Sequence, residues 1–285
     1  MKKKKRGLLP LIAIILVLVV ILGGLIFYLV RHSGLTAPVS VAANPEDNVP
    51  QSIPVPSLDT EVGFAPTARE GTAEDSDASD AAGTVSEEMD VPYESPVDFE
   101  AVWEVNPDVV AWLYIPGTDV SFPVLQHPTD NSYYLTHDAE KKSSSAGAIF
   151  IEDYNDADFS DMCTIIYGHR MYDGTMFGTL QATYSDEETF RQSQIVMIYL
   201  PDREIPYQVF AAVPFDNSHI LYYHDFDDQL SYREFINSIY STTGVGTTLE
   251  SELMPEYGDR LLILSTCLWG DRDTRYLILA KELDA

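Results

Sequence analysis

The sequence predicts a mainly β domain, a barrel or a sandwich with helical insertions, set behind an N-terminal hydrophobic segment and an acidic spacer. Three observations predict it. Short runs rich in β-branched and aromatic residues recur from residue 112 onward, each bounded by Gly, Pro, Asp or Asn. Only a few helical patterns interrupt them. The charge falls into three unequal blocks along the chain, which separates the folded body from what precedes it.

The 285 residues carry 45 acidic and 17 basic side chains, a formal net charge of −28. Hydrophobic residues make up 45% and charged residues 22%. That composition excludes a fully disordered chain, a collagen-like repeat and a polytopic membrane protein. A surface this acidic repels phosphate, so no nucleic-acid partner is expected. Two cysteines are too few for a disulfide scaffold or a Cys-rich zinc fold. The histidines His127, His137, His219 and His224 show no convincing metal-ligand spacing, and neither metal nor cofactor is expected.

The first block is basic. Residues 1–6 form a tip with Lys2, Lys3, Lys4, Lys5 and Arg6. The next 24 residues, Gly7 to Val30, carry no charge and are nearly all apolar. About 20 such residues suffice for a helix to cross the hydrocarbon core. The basic tip keeps that end in the cytoplasm, so the body is expected outside the cell on a single-pass anchor. The alternative is a cleaved signal peptide, but its apolar core usually spans only about 7–15 residues. Residues 31–95 follow, rich in Pro, Ala, Ser, Thr, Asp and Glu. Such a stretch cannot bury enough surface to offset its ordering entropy, and it reads as a disordered acidic linker.

The folded body is expected over residues 96–285. Asp98 is placed to cap a short helix running to Trp103. Trp112–Ile115 is a strand that ends at the Pro116–Gly117 turn. Further strands are expected at Ser121–Gln126, Ala148–Ile151, Cys163–Tyr167, Ile195–Leu200, Tyr207–Val213, Arg260–Thr266 and Arg275–Ala280. Met176–Thr183 is a helical candidate. Ser231–Tyr240 is a better one: Tyr232, Phe235, Ile236 and Ile239 share one face, with Ser231 and Glu234 in capping-box positions.

Chemistry concentrates at two strand ends. Ile165–Tyr167 runs through Gly168 and delivers His169. The apolar strand Leu261–Thr266 delivers Cys267, and Arg275 opens the next apolar strand eight residues later. Strand ends hold side chains on a rigid rim. Cys, His and Arg together supply a nucleophile, an acid/base and a cation for an oxyanion. Each residue alone also fits a bland role: a buried thiol, a structural His, a solvated strand terminus.

At these residues the sequence resembles the sortase family, and within it class B, over about residues 97–283. Leu264, Ser265, Thr266 and Cys267 with the following Arg275 are similar to the family's Cys strand and catalytic Arg. Tyr167, Gly168 and His169, followed by Met171 and the stretch Asp173 to Phe177, are similar to the class B segment around the catalytic His. Trp112–Gly117, Phe122–Val124 and Asp130–Leu135 resemble the class B N-terminal strands. The stretch Tyr207 to Glu256 resembles the helix-bearing insertion before the Cys strand.

The resemblance implies an eight-stranded sortase-type β-barrel and a cysteine transpeptidase. Such an enzyme cuts a C-terminal sorting signal after its Thr and holds the surface protein as a thioacyl-enzyme, which an amine of a peptidoglycan precursor resolves. It implies Cys267 as nucleophile, His169 as acid and base, and Arg275 as the oxyanion cation. Asn131, Leu135, Tyr222 and Ser265 align with class B positions that line the signal groove. Two departures stand out. Leu268 and Trp269 occupy positions where relatives often carry an acidic or polar pair, and Arg272 rivals Arg275. A Cys163–Cys267 disulfide would block the nucleophile. Two other function classes remain open: a hydrolase using water on the same acyl-enzyme, and a catalytically inactive tethered binding module.

Overall fold

The computed structural model describes residues 93–268, 270–271 and 273–283. The expected anchor, nearly all of the expected linker, Trp269 and the rival Arg272 lie outside the described residues. No helix among the described residues is long and apolar enough to cross a membrane.

The strands, in chain order, are β1 (Val109–Tyr114), β2 (Ser121–Leu125), β3 (Ile149–Phe150), β4 (Cys163–Tyr167), β5 (Ile195–Tyr199), β6 (Glu204–Asp216), β7 (Thr248–Leu249), β8 (Leu261–Cys267) and β9 (Thr274–Glu282). They pair in the order β5-β1-β2-β3-β4-β8-β9-β6-β7, and β5 also pairs with β6. That last pairing closes eight strands into a barrel, which removes the exposed edges of an open sheet. The two-residue β7 hangs on β6 outside the closed ring.

The helices are α1 (Phe99–Val105), α2 (Leu180–Tyr184), α3 (Glu187–Gln192), α4 (Ile220–Tyr223) and α5 (Gln229–Tyr240). Asp98 caps α1 as expected, accepting from the Ala101 N–H at 3.0 Å. The α5 cap differs from the sequence reading. Asp228 caps it, accepting from the N–H groups of Leu230 and Ser231, and Ser231 Oγ instead accepts from the Asp225 N–H. The helical pattern over Met176–Thr183 condenses to α2, and the separate α3 begins at Asp186, whose carboxylate caps it. β6 runs well beyond the expected Tyr207–Val213, because Pro206 and Pro214 are accommodated within it.

The walls of the barrel are apolar on both faces around β8, for a simple reason. Leu262 and Leu264 of β8, Ile166 of β4 and Tyr276, Ile278 and Ala280 of β9 fill the interior. Their neighbours Leu261, Ile263, Cys163, Ile165, Leu277 and Leu279 face outward. There they are covered by Tyr232, Phe235, Ile236 and Ile239 of α5, all buried. Strands buried on both faces read as continuous apolar runs, and the run Leu261–Leu264 is one. On β6 a bulge between Val209 and Ala211 lets Phe210 and Ala211 face the same outer cluster in succession.

Candidate active site

β8 lies between β4 and β9, and that position assembles the site. It runs parallel to β4, with Tyr167 opposite Ser265. It runs antiparallel to β9, with Cys267 opposite Arg275. Parallel strands end at the same edge, so the C-terminal ends of β4 and β8 share one rim of the barrel. The Gly168 N–H donates to the Ser265 carbonyl at 3.2 Å, extending the ladder one residue beyond β4. His169 leaves the strand immediately after.

Side-chain parity places the groups on one side. Residues 261, 263, 265 and 267 alternate onto the outer face of β8, as do 275, 277 and 279 on β9 and 163, 165 and 167 on β4. Tyr167, Ser265, Cys267 and Arg275 therefore share the face that carries the insertion containing α4 and α5. Across that face Arg275 Nη1 donates to Cys267 Sγ at 3.4 Å. Both residues are half-buried.

His169 is held from the other side. Its Nε2–H donates to the Leu135 carbonyl at 2.8 Å, an assignment that leaves Nδ1 as the unprotonated ring nitrogen in the neutral form. Leu135 closes the 3₁₀ turn Tyr133–Leu135. That turn is anchored by Tyr134, whose buried hydroxyl donates to Asp108 Oδ2 at 2.6 Å and accepts from Asn106 Nδ2 at 3.0 Å. Burial, reinforced by the Asp108 bond, raises the Tyr134 hydroxyl far above its ordinary value. The Lys141 ammonium meets the same Asp108 oxygen at 2.9 Å. Two glycines are required by close approach. A Cβ on Gly147, at φ +61°, would stand 2.4 Å from the Tyr134 carbonyl and 3.1 Å from the His169 ring. A Cβ on Gly168 would lie 2.5 Å from Ile149 Cδ1 and 2.6 Å from the Phe177 ring.

His169 and Cys267 line one cavity of about 480 Å³, together with Ser145, Met171 and Leu268. That is within the size range of small-ligand sites. The other cysteine is elsewhere. Cys163 begins β4 opposite Leu261, six residues from Cys267 along the strand, and both thiols are free. Burial pushes the Cys163 thiol well up. Thiolate is the nucleophilic form of cysteine, and Cys163 is held away from it.

Of the residues aligned with a signal groove, Leu135 and Ser265 adjoin this centre: one through its carbonyl on His169, the other on β8 two residues before Cys267. None of the four lines the Cys267 cavity itself, and Asn131 and Tyr222 hydrogen-bond to residues outside it. Asn131 is tied at both ends of its amide to Asp153. Tyr222, on α4, lines a second cavity of about 540 Å³ with Tyr154, Tyr223 and Asp225. The structure adds groups that the sequence reading leaves without a role. Glu152, just after β3, accepts from His219 Nε2 at 2.7 Å, and His219 stacks on Tyr222 with ring centroids 3.9 Å apart. Glu152 and His219 are 67 positions apart, which leaves no local signal of such a pair.

With this geometry in place, comparison with known proteins is specific. The sortase domain model matches residues 113–283. The chain is 28% identical to sortase B of Staphylococcus aureus over 185 residues, 64% of this chain and 73% of that protein. It is 31% identical to sortase B of Listeria monocytogenes over 169 residues, 58% of this chain and 64% of that protein. Among solved structures, a mutant form of Clostridium perfringens sortase B superposes with a TM-score of 0.58 at 26% identity, covering 66% of this chain and 88% of that one. A Staphylococcus aureus sortase B–substrate complex gives 0.57 at 28% identity, covering 66% and 85%. The chain belongs to the sortase family of cysteine transpeptidases, in its class B branch.

Proposed function

We propose that this chain is a membrane-anchored transpeptidase that cuts a C-terminal sorting signal after its Thr and joins the surface protein to an amine of a cell-wall precursor. The observation that carries this reading is the Cys267–Arg275 pair, level across β8 and β9, beside a cavity that His169 also lines. Cys267, as thiolate, attacks the Thr carbonyl carbon. Arg275, permanently charged and fork-shaped, stabilises the oxyanion that forms. His169, entering the step protonated, gives its proton to the departing amine as the C–N bond breaks, leaving a thioester on Sγ. The incoming amine then attacks that thioester. His169 takes a proton from it, and the thiolate leaves.

The Leu135 carbonyl supports this role by fixing the imidazole through Nε2, so that one ring nitrogen is committed to positioning and the other is available for proton transfer. A related structure is a sortase B–substrate complex, which supports a substrate site in this chain as well. The full chain, incubated with sorting-signal peptides with and without an amine acceptor, tests the reading. Amine-linked product is expected whenever acceptor is present. Free acid alone, at every acceptor concentration, would make the enzyme a hydrolase.

The anchor is part of the proposal. It rests on the uncharged run Gly7–Val30 behind Lys2 to Arg6. Single cysteines placed in residues 44–95 are expected to react with an impermeant probe on intact cells. Labelling only after lysis would reverse the orientation.

A further inference from the structure

The outer face that carries Cys267 also carries a clasp between two distant segments of the chain. α4 is four residues long, too short to hold its own conformation. Yet it presents Tyr222, 62% exposed, to the second cavity. Buried Ile220 anchors one side of it. The rest of the hold comes from His219, the residue before the helix. Its ring lies against Tyr222 at 3.9 Å and 23°, and Tyr154 meets both rings edge-on at 5.3 and 5.1 Å. The Tyr154 and Tyr222 hydroxyls are hydrogen-bonded to each other. His219 Nε2–H donates to Glu152 at 2.7 Å, and the two side chains are only 22% and 18% exposed. A pair so shielded is screened far less than a surface contact. The His219 Nδ1 is buried and makes no hydrogen bond, so the ring has a single polar tether, and that tether is Glu152.

Glu152 connects the clasp to the reaction centre. Its carboxylate also faces Tyr167: burial chiefly, and the Glu152 charge secondarily, raise the Tyr167 hydroxyl far above its ordinary value. Tyr167 stands opposite Ser265, on the face that Cys267 and Arg275 share. Contacts therefore run from Tyr222 through His219 to Glu152, whose charge bears on Tyr167.

We propose that His219 is a positioning residue for sorting-signal binding: tethered to Glu152 and stacked on Tyr222, it fixes the Tyr222 ring in the lining of the cavity of about 540 Å³, as a wall for the signal on the side of the domain that carries α4. This rests on the transpeptidase reading and adds to it the group that sets signal affinity. A wall held in place before binding spares the signal the cost of ordering it. His219 touches neither thiol nor oxyanion, so its loss acts on binding and leaves the chemical step alone.

The test is steady-state kinetics of the full chain on one sorting-signal peptide, beside the rate of Cys267 alkylation by iodoacetamide. His219→Ala is expected to raise KM about tenfold, the equivalent of 1.4 kcal/mol, with kcat and alkylation rate near those of the parent. His219→Phe keeps the stack without the tether, and Glu152→Gln keeps an acceptor oxygen; both are expected to fall between parent and His219→Ala. His219→Ala combined with Glu152→Ala is expected to be little worse than His219→Ala alone, since the two act as one unit. A parent-like KM in His219→Ala and His219→Phe, with the parent turning over, overturns this inference alone. So does a loss confined to kcat. No turnover by the parent with any sorting signal removes the transpeptidase reading and this inference with it.

Discussion

Cys267 and Arg275 stand opposite each other on β8 and β9, and the Arg275 guanidinium donates to the Cys267 sulfur at 3.4 Å. Antiparallel pairing accounts for that level placement, since a connection of six residues, 268–273, returns the chain to the rim it left. In the proposed reaction, a cation set there meets the charge that develops on the carbonyl oxygen, two bonds from the sulfur. Arg275→Ala is expected to lower kcat/KM by about 10²–10³, the usual loss for one oxyanion donor. Arg275→Lys should recover little, because it keeps charge without the planar fork. Arg272→Ala should stay near the parent. A large loss at 272 with normal turnover at 275 would transfer the role.

Gly168 links the β4–β8 ladder to His169. A methyl there would press on Ile149 and on the fully buried Phe177 ring. Overpacking of this kind typically costs about 1–3 kcal/mol. In a domain of this size that lowers Tm by about 2–4 °C for each kcal/mol. Gly168→Ala should therefore melt earlier and also lose turnover, as His169 is displaced. Parent-like melting and turnover together would mean that the strand end yields without moving the imidazole.

The two thiols should behave oppositely. Burial holds Cys163 well above the ordinary thiol range, so it stays protonated in mildly alkaline buffer although it lines the Tyr222 cavity, while Cys267 is only half-buried beside its own cavity. Iodoacetamide on the native protein is expected to label the Cys267 peptide alone. Cys163 should react only in denaturant. Comparable native labelling of both would show that the outer cluster beneath α5 opens readily.

Asp228, not Ser231, caps α5. Asp228→Ala is expected to cost about 1 kcal/mol in chemical denaturation. Ser231→Ala should cost less, since it removes only the bond from the Asp225 N–H. The reverse order would return the cap to Ser231.

Much of the site is legible in the sequence because it sits where strong local signals end. Cys163–Tyr167 and the Leu261–Leu264 run are largely apolar, since barrel interior and α5 cover opposite faces of them, and His169 and Cys267 follow closely. The position of Arg275 follows from an antiparallel return. What escapes a sequence reading is shorter or longer in range. Ser231 and Glu234 match a capping box, yet Asp228 wins because its carboxylate reaches two N–H groups at 3.0 and 2.9 Å. α3 and α4 are too short for periodicity to show. The tie between Glu152 and His219 joins elements that only the closed barrel brings together.

Intact-protein mass spectrometry of the full chain with a sorting-signal peptide, quenched within the first turnovers, tests the central claim most directly. The expected result is a mass increase equal to the peptide up to its Thr carbonyl, mapped to Cys267 and released by an amine. Cys267→Ala should show no adduct and no cleavage. An adduct on Cys163, or continued cleavage by Cys267→Ala, would contradict it.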